Sequence, residues 1–288
     1  MKYRHSFHAG NFADVHKHVA LLALSAALQR TDKGFLLLDT HGGRGSYDLS
    51  SPNPEAAAGI ARLDLAGFEA EELRAYAAAL ARVRAALKHR HLYGGSPLLA
   101  LAALRPQDRA VFIEFQGGEA HELTASVHAF RAAHPEGCAS AQVERGDGYA
   151  RAKAWLPPRE RRGLTFIDPP YEETAGDFAA VRAALADALR RFPTGVYAAW
   201  YPVKEAHAAA AWVRSCAQAL PAPLAAAQLW LYRRDSRVGL NGSGLLIANP
   251  PHQVPERMQV WQRELLRGLG GGADSGSSVE LVSESHPP

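Results

Sequence analysis

Seven short apolar runs divide this 288-residue sequence, and turn residues bound each of them. Continuous apolar character is expected of strands that are buried on both faces. Segments with helical period lie between most of the runs, for example at 118–134, 175–192 and 203–220. Because strands that alternate with helices usually pair in parallel, the pattern predicts an α/β fold with helices on both faces of a mostly parallel sheet. The seven predicted strands cover residues 34–40, 110–115, 141–144, 163–170, 194–202, 226–233 and 244–251.

Three segments depart from this alternation. The polar, Gly-bearing link at 235–244 contains no helix, so the last two strands are expected to form an antiparallel hairpin. Residues 52–92 have the composition and period of two Ala-rich helices, which we interpret as an inserted helical subdomain. The rest of the α/β domain then spans residues 1–51 and 93–267. Residues 268–288 are polar and Gly/Ser-rich, and we predict that they form a disordered tail.

Cysteine content and hydropathy indicate the compartment. Cys138 and Cys216 are far apart and show no metal-ligand spacing, which argues against a disulfide framework or a zinc ribbon and fits a reducing cytoplasm. The first residues lack the apolar core of a signal peptide, and no run approaches the roughly 20 apolar residues that cross a bilayer. We therefore predict a cytoplasmic protein without a membrane segment.

The overall charge says little about partners, because a net charge of +3 is only mildly basic. Arginine is concentrated locally, at 151–162 and 231–237. These runs are either phosphate-binding patches or ordinary solvated faces, and charge alone does not separate the two readings.

Ligands of open α/β sheets bind at the carboxyl ends of the strands. The first predicted strand is followed by Gly42 and Gly43, which allow a sharp turn close to a ligand. The second ends in Glu114, a carboxylate placed to accept hydrogen bonds from a ribose diol, and the third is followed by Asp147 and Gly148, which could recognise an adenine edge. Each feature alone could be an ordinary capped strand end, whereas the three together predict a nucleoside pocket.

The fourth predicted strand ends in Asp168-Pro169-Pro170-Tyr171, the most specific motif of the chain. An exocyclic amine of a base is a poor nucleophile, because its lone pair is delocalised into the ring. Asp168 and the backbone carbonyl of Pro169 can accept the two N–H groups of such an amine, and the prolines hold that carbonyl rigidly. Tyr171 offers a flat face for a flipped base. The alternative reading is an Asp-capped turn followed by a core tyrosine.

These motifs, on a parallel sheet closed by an antiparallel hairpin, predict a Rossmann-like class I S-adenosylmethionine-dependent methyltransferase fold. The sequence also resembles the RlmJ family of bacterial 23S ribosomal RNA adenine-N6 methyltransferases, from Tyr3 to about Pro251. The segments that carry the resemblance are YRHSFHAGN at 3–11, ADV at 13–15, KH at 17–18, DTHGGRG at 39–45, GGSPL at 94–98, DPPY at 168–171 and AAWYP at 198–202.

The resemblance implies a monomeric enzyme that methylates adenine 2030 of free or incompletely assembled 23S rRNA. It implies that Asp168 is the catalytic acceptor and that Tyr3 contacts the RNA. With the reasoning from the motif, the predicted catalytic residues are Asp168, Pro169 and Tyr171, and Tyr171 is predicted to contact the RNA as well. The residues it places at the S-adenosylmethionine site are His18, His41, Ser96, Glu114, Asp147, Gly148 and Asp168. Arg44 stands where the family usually has a small residue, and its role is open.

Other readings remain for several residues. His18 and His41 could be hydrogen-bonded structural histidines, and Ser96 could cap a helix that begins at Pro97. Histidines at 5, 8, 16 and 18 lack the i, i+4 spacing of a helical zinc pair, so we predict no metal site.

Two other functions are compatible with the motif. A DNA adenine-N6 methyltransferase would use the same chemistry, and a non-catalytic RNA-binding factor could retain the fold. The N-terminal resemblance favours RNA over DNA, and the intact Asp168 and Tyr171 favour catalysis.

Overall fold

The computed structural model describes residues 9–51, 53–172, 174–233, 236 and 239–282. The predicted RNA-contacting residue Tyr3 lies outside these ranges. The helices are α1 (Phe12–Leu28), α2 (Pro54–Ala57), α3 (Glu71–Ala86), α4 (Ser96–Ala103), α5 (Gly117–Ala132), α6 (Gly148–Trp155), α7 (Thr174–Arg191), α8 (Ala206–Ala219) and α9 (Val254–Gly268). The strands are β1 (Leu36–Asp39), β2 (Ser46–Asp48), β3 (Leu92–Gly94), β4 (Arg109–Glu114), β5 (Ser140–Arg145), β6 (Gly163–Ile167), β7 (Val196–Val203), β8 (Leu224–Trp230), β9 (Gly242–Ala248) and β10 (Gly276–Val282).

The main sheet of the described residues has eight strands in the order β10-β8-β9-β7-β6-β1-β4-β5. Strands β7, β6, β1, β4 and β5 pair in parallel, while β9, β8 and β10 add antiparallel strands at one end. All seven predicted strands are present, and β8 and β9 form the predicted antiparallel pair. The predicted Rossmann-like α/β fold class is therefore confirmed.

Helices cover both faces of this sheet. Alternation along β1 sends Leu37 into one buried cluster and Leu36 and Leu38 into the other, as expected for a strand with two buried faces. Helices α1, α3, α4, α5 and α9 cover the first face, and α7 and α8 cover the second. Among the described residues, none of the helices combines the length and the hydropathy of a membrane-spanning segment.

The C-terminal segment corrects the prediction of a disordered tail from residue 268. Residues Gly276–Val282 form β10, which pairs antiparallel with the whole of β8. Composition predicted disorder because the segment contains few apolar side chains. Backbone hydrogen bonds to an otherwise open sheet edge do not depend on side-chain hydrophobicity, and they order the segment here.

The inserted segment also differs from the predicted pair of helices. Residues 54–64 form the short α2 and a 3₁₀ turn at Ile60–Arg62. The interruption falls at Gly59, where an added Cβ would lie 2.1 Å from the carbonyl oxygen of Gly10. This close backbone contact docks the insertion onto the start of α1. The second predicted helix is observed as α3, whose buried Tyr76 and Leu80 belong to the same cluster as α1 and α4.

Candidate active site at the carboxyl edge of the sheet

A cavity of about 1150 Å³ opens at the carboxyl ends of β1, β4, β6 and β7. The start of α1, the glycine turn after β1, the segment after β6 and the loop between β8 and β9 all contribute to its wall. The predicted site residues that line it are His18, His41, Ser96, Glu114, Asp168, Pro169 and Tyr171. Because these residues come from widely separated parts of the sequence, the fold brings most of the predicted site together.

Glu114 anchors the glycine turn. Its Oε2 accepts a hydrogen bond from the Gly43 N–H at 2.9 Å, and its Oε1 accepts one from the Gln116 N–H at 2.6 Å. Gly43 has a φ of +61°, a conformation that favours glycine. Burial raises the pKa of Glu114, while the two backbone donors oppose that shift. A carboxylate has about four lone-pair positions, so these contacts leave capacity for a ligand diol.

Ser96 bonds to a residue that the sequence analysis did not select. Its hydroxyl donates to Asp39 Oδ2 at 2.6 Å, and the His41 N–H donates to Asp39 Oδ1 at 3.1 Å. Gly95 occupies the N-cap position of α4, so the reading of Ser96 as a helix cap is wrong. Asp39 is fully buried, and burial raises its pKa to about 7. An acid at the end of an apolar strand is the sequence signal for this contact.

Both predicted histidines have hydrogen-bond partners. His18 Nδ1 lies 2.8 Å from the hydroxyl of Tyr93, and His41 Nδ1 lies 2.8 Å from Thr40 Oγ1. The His41 ring also packs edge-on against Tyr149. Burial lowers the pKa of His41 to about 4, so its imidazole is neutral near pH 7.

Asp147 and Gly148 are not among the residues that line the cavity. Asp147 is exposed and caps α6 by accepting a hydrogen bond from the Ala150 N–H at 3.0 Å. At Gly148 an added Cβ would lie 2.0 Å from the carbonyl oxygen of Thr40, so close packing against the end of β1 requires glycine there. Both residues therefore have structural roles, and their predicted contact with the cofactor stays a prediction.

Asp168 forms a buried ion pair that sequence reasoning missed. Lys17 Nζ lies 2.7 Å from Asp168 Oδ2 and 2.6 Å from Asp14 Oδ1, and all three side chains are less than one-tenth exposed. Asp14 also accepts a hydrogen bond from the Gly10 N–H. In sequence, Asp14 and Lys17 resemble an ordinary i, i+3 pair on a helix surface. The tertiary structure instead directs them towards Asp168.

Tyr171 differs from the predicted stacking platform. Only 4% of the residue is exposed, and its hydroxyl donates to the carbonyl oxygen of Trp200 at 2.8 Å. The rings of Phe178 and Trp200 pack edge-on against it. Its φ of +50° is unusual for a non-glycine residue and turns the chain directly after the two prolines. Tyr171 therefore forms the wall of the cavity and does not present an open face.

Arg44 and Arg162, the last residue of the 151–162 run, also have structural partners. The Arg44 guanidinium makes a bidentate contact with Glu119 on α5, at 2.8 and 3.0 Å, beside the cavity. Arg162, just before β6, donates to the backbone carbonyls of Leu28 and Lys33. It lies at the amino end of β6, opposite the cavity, so it does not support a phosphate patch at this site. No cluster of metal-binding side chains occurs among the described residues.

Comparison with known proteins identifies close relatives. Residues 32–277 match the family model described as "Ribosomal RNA large subunit methyltransferase D, RlmJ". A relative from Escherichia coli K12, named "Ribosomal RNA large subunit methyltransferase J", is 36% identical to this chain and covers 94% of this chain and 96% of the relative. A relative of the same name from Haemophilus influenzae is 34% identical and covers 98% of this chain and 99% of the relative. A crystal structure of a Legionella pneumophila protein is 32% identical over 97% of this chain and 99% of that one, with a TM-score of 0.81.

Proposed function

This chain belongs to the RlmJ family of ribosomal RNA large subunit methyltransferases, and on that premise we propose that it methylates the N6 atom of one adenine in 23S rRNA. We further propose that S-adenosylmethionine is the methyl donor. The expected target is adenine 2030 in free or incompletely assembled rRNA, and the expected enzyme is a cytoplasmic monomer. The position of Asp168 and Pro169 on the wall of the cavity, at the end of β6, is the observation that carries this proposal.

The residues on the β1 and β4 side of the cavity are suited to binding S-adenosylmethionine. The cavity is large enough for a nucleoside-containing ligand. The turn at Gly42 and Gly43 lets the backbone approach a ligand, and Glu114 is a suitable acceptor for a ribose diol. We propose that His18, His41, Ser96 and Asp168 contact the cofactor from the same cavity, with Asp147 and Gly148 reaching it from the end of β5. The bound cofactor would supply an electrophilic methyl group.

The acceptor residues work by orienting the target amine. Asp168 and the Pro169 carbonyl each accept one N–H of the adenine amine, so that the nitrogen lone pair points towards the methyl group. Lys17 stabilises the negative charge of Asp168 and restricts the rotation of its carboxylate. This preorganisation lowers the reorganisation needed in the transition state.

Two alternatives make different predictions. A DNA adenine-N6 methyltransferase would label duplex DNA, and a non-catalytic RNA-binding factor would bind RNA without transferring a methyl group. The family membership favours the RNA enzyme over both. The buried Lys17–Asp168 pair beside an open cavity favours catalysis over simple binding, because its charges are desolvated at the site itself.

The test is an in vitro methylation with radiolabelled S-adenosylmethionine. We expect the protein to label deproteinised 23S rRNA from a strain that lacks this activity, and to label assembled subunits and duplex DNA much less. Mass spectrometry of the RNA should then find one N6-methyladenine at position 2030. Equal labelling of duplex DNA would refute the RNA assignment, and RNA binding without labelling would support the non-catalytic factor.

A further inference from the structure

One wall of the cavity is formed by a strand that extends beyond the Asp168-Pro169-Pro170-Tyr171 motif. Strand β6 ends at Ile167, which pairs with Ala199, whereas β7 continues to Val203. The four extra residues extend β7 by about 13 Å at 3.3 Å per residue. Strand β9 pairs with this extension through Gly242, so the extension is part of the sheet. The substrate side of the cavity is therefore bounded by a rigid wall that stands beside Asp168.

Alternation along β7 determines which residues face the cavity. Trp200, Pro202 and Lys204 line it, whereas Tyr201 and Val203 are buried in the cluster on the opposite face of the sheet. Trp200 is the lowest of the three, and its ring lies 5.2 Å from the ammonium nitrogen of Lys17. Lys204 is exposed at the top of the wall. The wall is thus aromatic near the Lys17–Asp168 ion pair and cationic at the rim.

The loop between β8 and β9 extends this rim. Tyr232 and Leu240 line the cavity, and Tyr232 is 36% exposed, one of the few exposed large hydrophobic side chains among the described residues. Arg233, the next residue, is also exposed. We define the loop rim as Lys204, Tyr232, Arg233 and Leu240. It combines an accessible aromatic ring with two cationic side chains.

Asn241 holds the loop rim in place. The residue is fully buried, and its backbone N–H donates to the carbonyl oxygen of Val203 at 3.0 Å. Its side-chain amide donates to the carbonyl oxygens of Lys204 at 2.6 Å and Ser236 at 2.9 Å. Its own carbonyl accepts from the Leu231 N–H at 3.1 Å. These bonds join the ends of β7, β8 and β9, so Tyr232 is presented from an ordered base.

We propose that the loop rim binds the nucleotide next to the target adenine, with the base of that nucleotide stacked on Tyr232 and its phosphate near Lys204 and Arg233. Flipped or single-stranded RNA is typically recognised by stacking on aromatic rings, with cations following the backbone. Tyr171 cannot provide this face, because its ring is packed between Phe178 and Trp200. This inference rests on the proposed function and adds a binding site for the strand that carries the target.

The acidic neighbours of the rim determine which interaction should dominate. Glu172 also lines the cavity, and Glu205 follows Lys204 in the chain, so the rim is not uniformly basic. A purely electrostatic contact would be weakened by these carboxylates. Stacking is less affected by them, and its loss typically weakens binding about fivefold or more for each base. Tyr232 is therefore the residue to test.

The experiment compares Tyr232→Ala, Tyr232→Phe and the control Val260→Ala in steady-state methylation of deproteinised 23S rRNA. Val260 is an exposed apolar residue on α9 that does not line the cavity. We expect Tyr232→Ala to raise KM for RNA at least fivefold with kcat changed less than twofold. Tyr232→Phe, which retains the ring, should restore KM to within twofold of the wild type, and Val260→Ala should match the wild type. Calorimetry should give all variants the wild-type affinity for S-adenosylmethionine.

Three outcomes would overturn the inference. The first is an unchanged KM for RNA in Tyr232→Ala, the second is a phenylalanine variant as defective as the alanine variant, and the third is a parallel loss of cofactor affinity in Tyr232→Ala. These outcomes leave the proposed function intact, provided that the wild type methylates the RNA. A wild type that methylates no RNA refutes the proposed function itself.

Discussion

The two halves of the cavity are built in different ways. The proposed cofactor half comprises the glycine turn after β1 with Asp39, His41, Ser96 and Glu114, where carboxylates accept hydrogen bonds from neighbouring backbone N–H groups and a hydroxyl. The acceptor half comprises Lys17, Asp168, Pro169, Tyr171 and Trp200, where an ion pair and edge-on aromatic rings hold the site. The first half is organised by adjacent strand ends, and the second by packing between distant elements.

The two halves should therefore respond differently to substitution. A residue in the cofactor half satisfies backbone groups, so its loss should affect ligand affinity and local order first. Asp168 in the acceptor half is expected to touch the reacting amine, so its loss should affect turnover first. Substitutions in the two halves should therefore change different kinetic and binding constants.

Asp168→Ala should have the largest effect and should act on turnover. Removing the amine acceptor is expected to lower kcat about 100-fold or more, because a misplacement of reacting groups by about 1 Å can cost that much. Lys17 keeps its contact with Asp14 in the variant, so the fold should persist. The loss of one of the several proposed cofactor contacts should lower cofactor affinity far less than turnover. Single-turnover methylation and calorimetry measure the two quantities separately.

Asp187→Ala is the matched control for this change. Asp187 is paired with arginines on α7, away from the catalytic cavity, and its loss should leave turnover unchanged. If Asp168→Ala abolished cofactor binding but kept the rate of the bound fraction, Asp168 would belong to the cofactor half and the comparison would fail.

Glu114→Gln should have an intermediate effect and should act on cofactor affinity. The glutamine side chain offers only one oxygen, so the Gly43 or the Gln116 N–H loses its acceptor. Losing a charged acceptor costs about 1.5 to 3 kcal/mol, which predicts a Kd for S-adenosylmethionine about 10- to 100-fold higher. Calorimetry measures Kd, and kcat at saturating cofactor should stay within about threefold of the wild type.

The exposed Glu122 on α5 provides the control for Glu114. Glu122→Gln changes the same formal charge without touching the glycine turn, and it should leave Kd unchanged. A Glu114→Gln variant with a normal Kd and a low kcat would place Glu114 with the acceptor residues and remove the distinction between the halves.

Asp39→Asn should have the smallest effect on turnover, because Asp39 acts through stability. Its pKa is raised by burial from an ordinary 3.8 to about 7, so the folded protein holds this proton more tightly than the unfolded chain. The contribution of Asp39 to the free energy of unfolding should therefore fall as the pH rises from about 4 to about 7 and then level off. Asparagine does not ionise, so the variant should lose this slope.

Urea denaturation at pH 5 and pH 8 measures the effect. The stability of Asp39→Asn relative to the wild type should increase between these values by no more than about 3 kcal/mol. Only the interval from pH 5 to about 7, roughly two units at 1.36 kcal/mol each, lies inside the measured range. The absolute stability of the variant is a poorer readout. The asparagine side chain has only one oxygen, so it cannot accept hydrogen bonds on both sides, from the His41 N–H and from the Ser96 hydroxyl. Identical pH slopes in both proteins would mean that Asp39 is ionised in the fold throughout this range.

Much of the fold followed from local patterns. The seven apolar runs predicted the strands because burial on both faces leaves a continuous hydrophobic signature. Strand β10 escaped prediction, because its order comes from hydrogen bonding to β8 and not from its own composition. The short α2 was also missed as a separate element, since the contact between Gly59 and Gly10 that interrupts the helix joins residues far apart in sequence.

The candidate site shows the same division. The sequence alone determined where Glu114 and the Asp168 motif would lie, because residues that end neighbouring parallel strands must meet at one edge of the sheet. Tertiary contacts were needed to show that Lys17 pairs with Asp168 and that Asp39 accepts a hydrogen bond from Ser96. They also bury Tyr171 and leave Tyr232 exposed at the loop rim. Desolvation and packing act between residues that are distant in the chain, and no local pattern encodes which of them become neighbours.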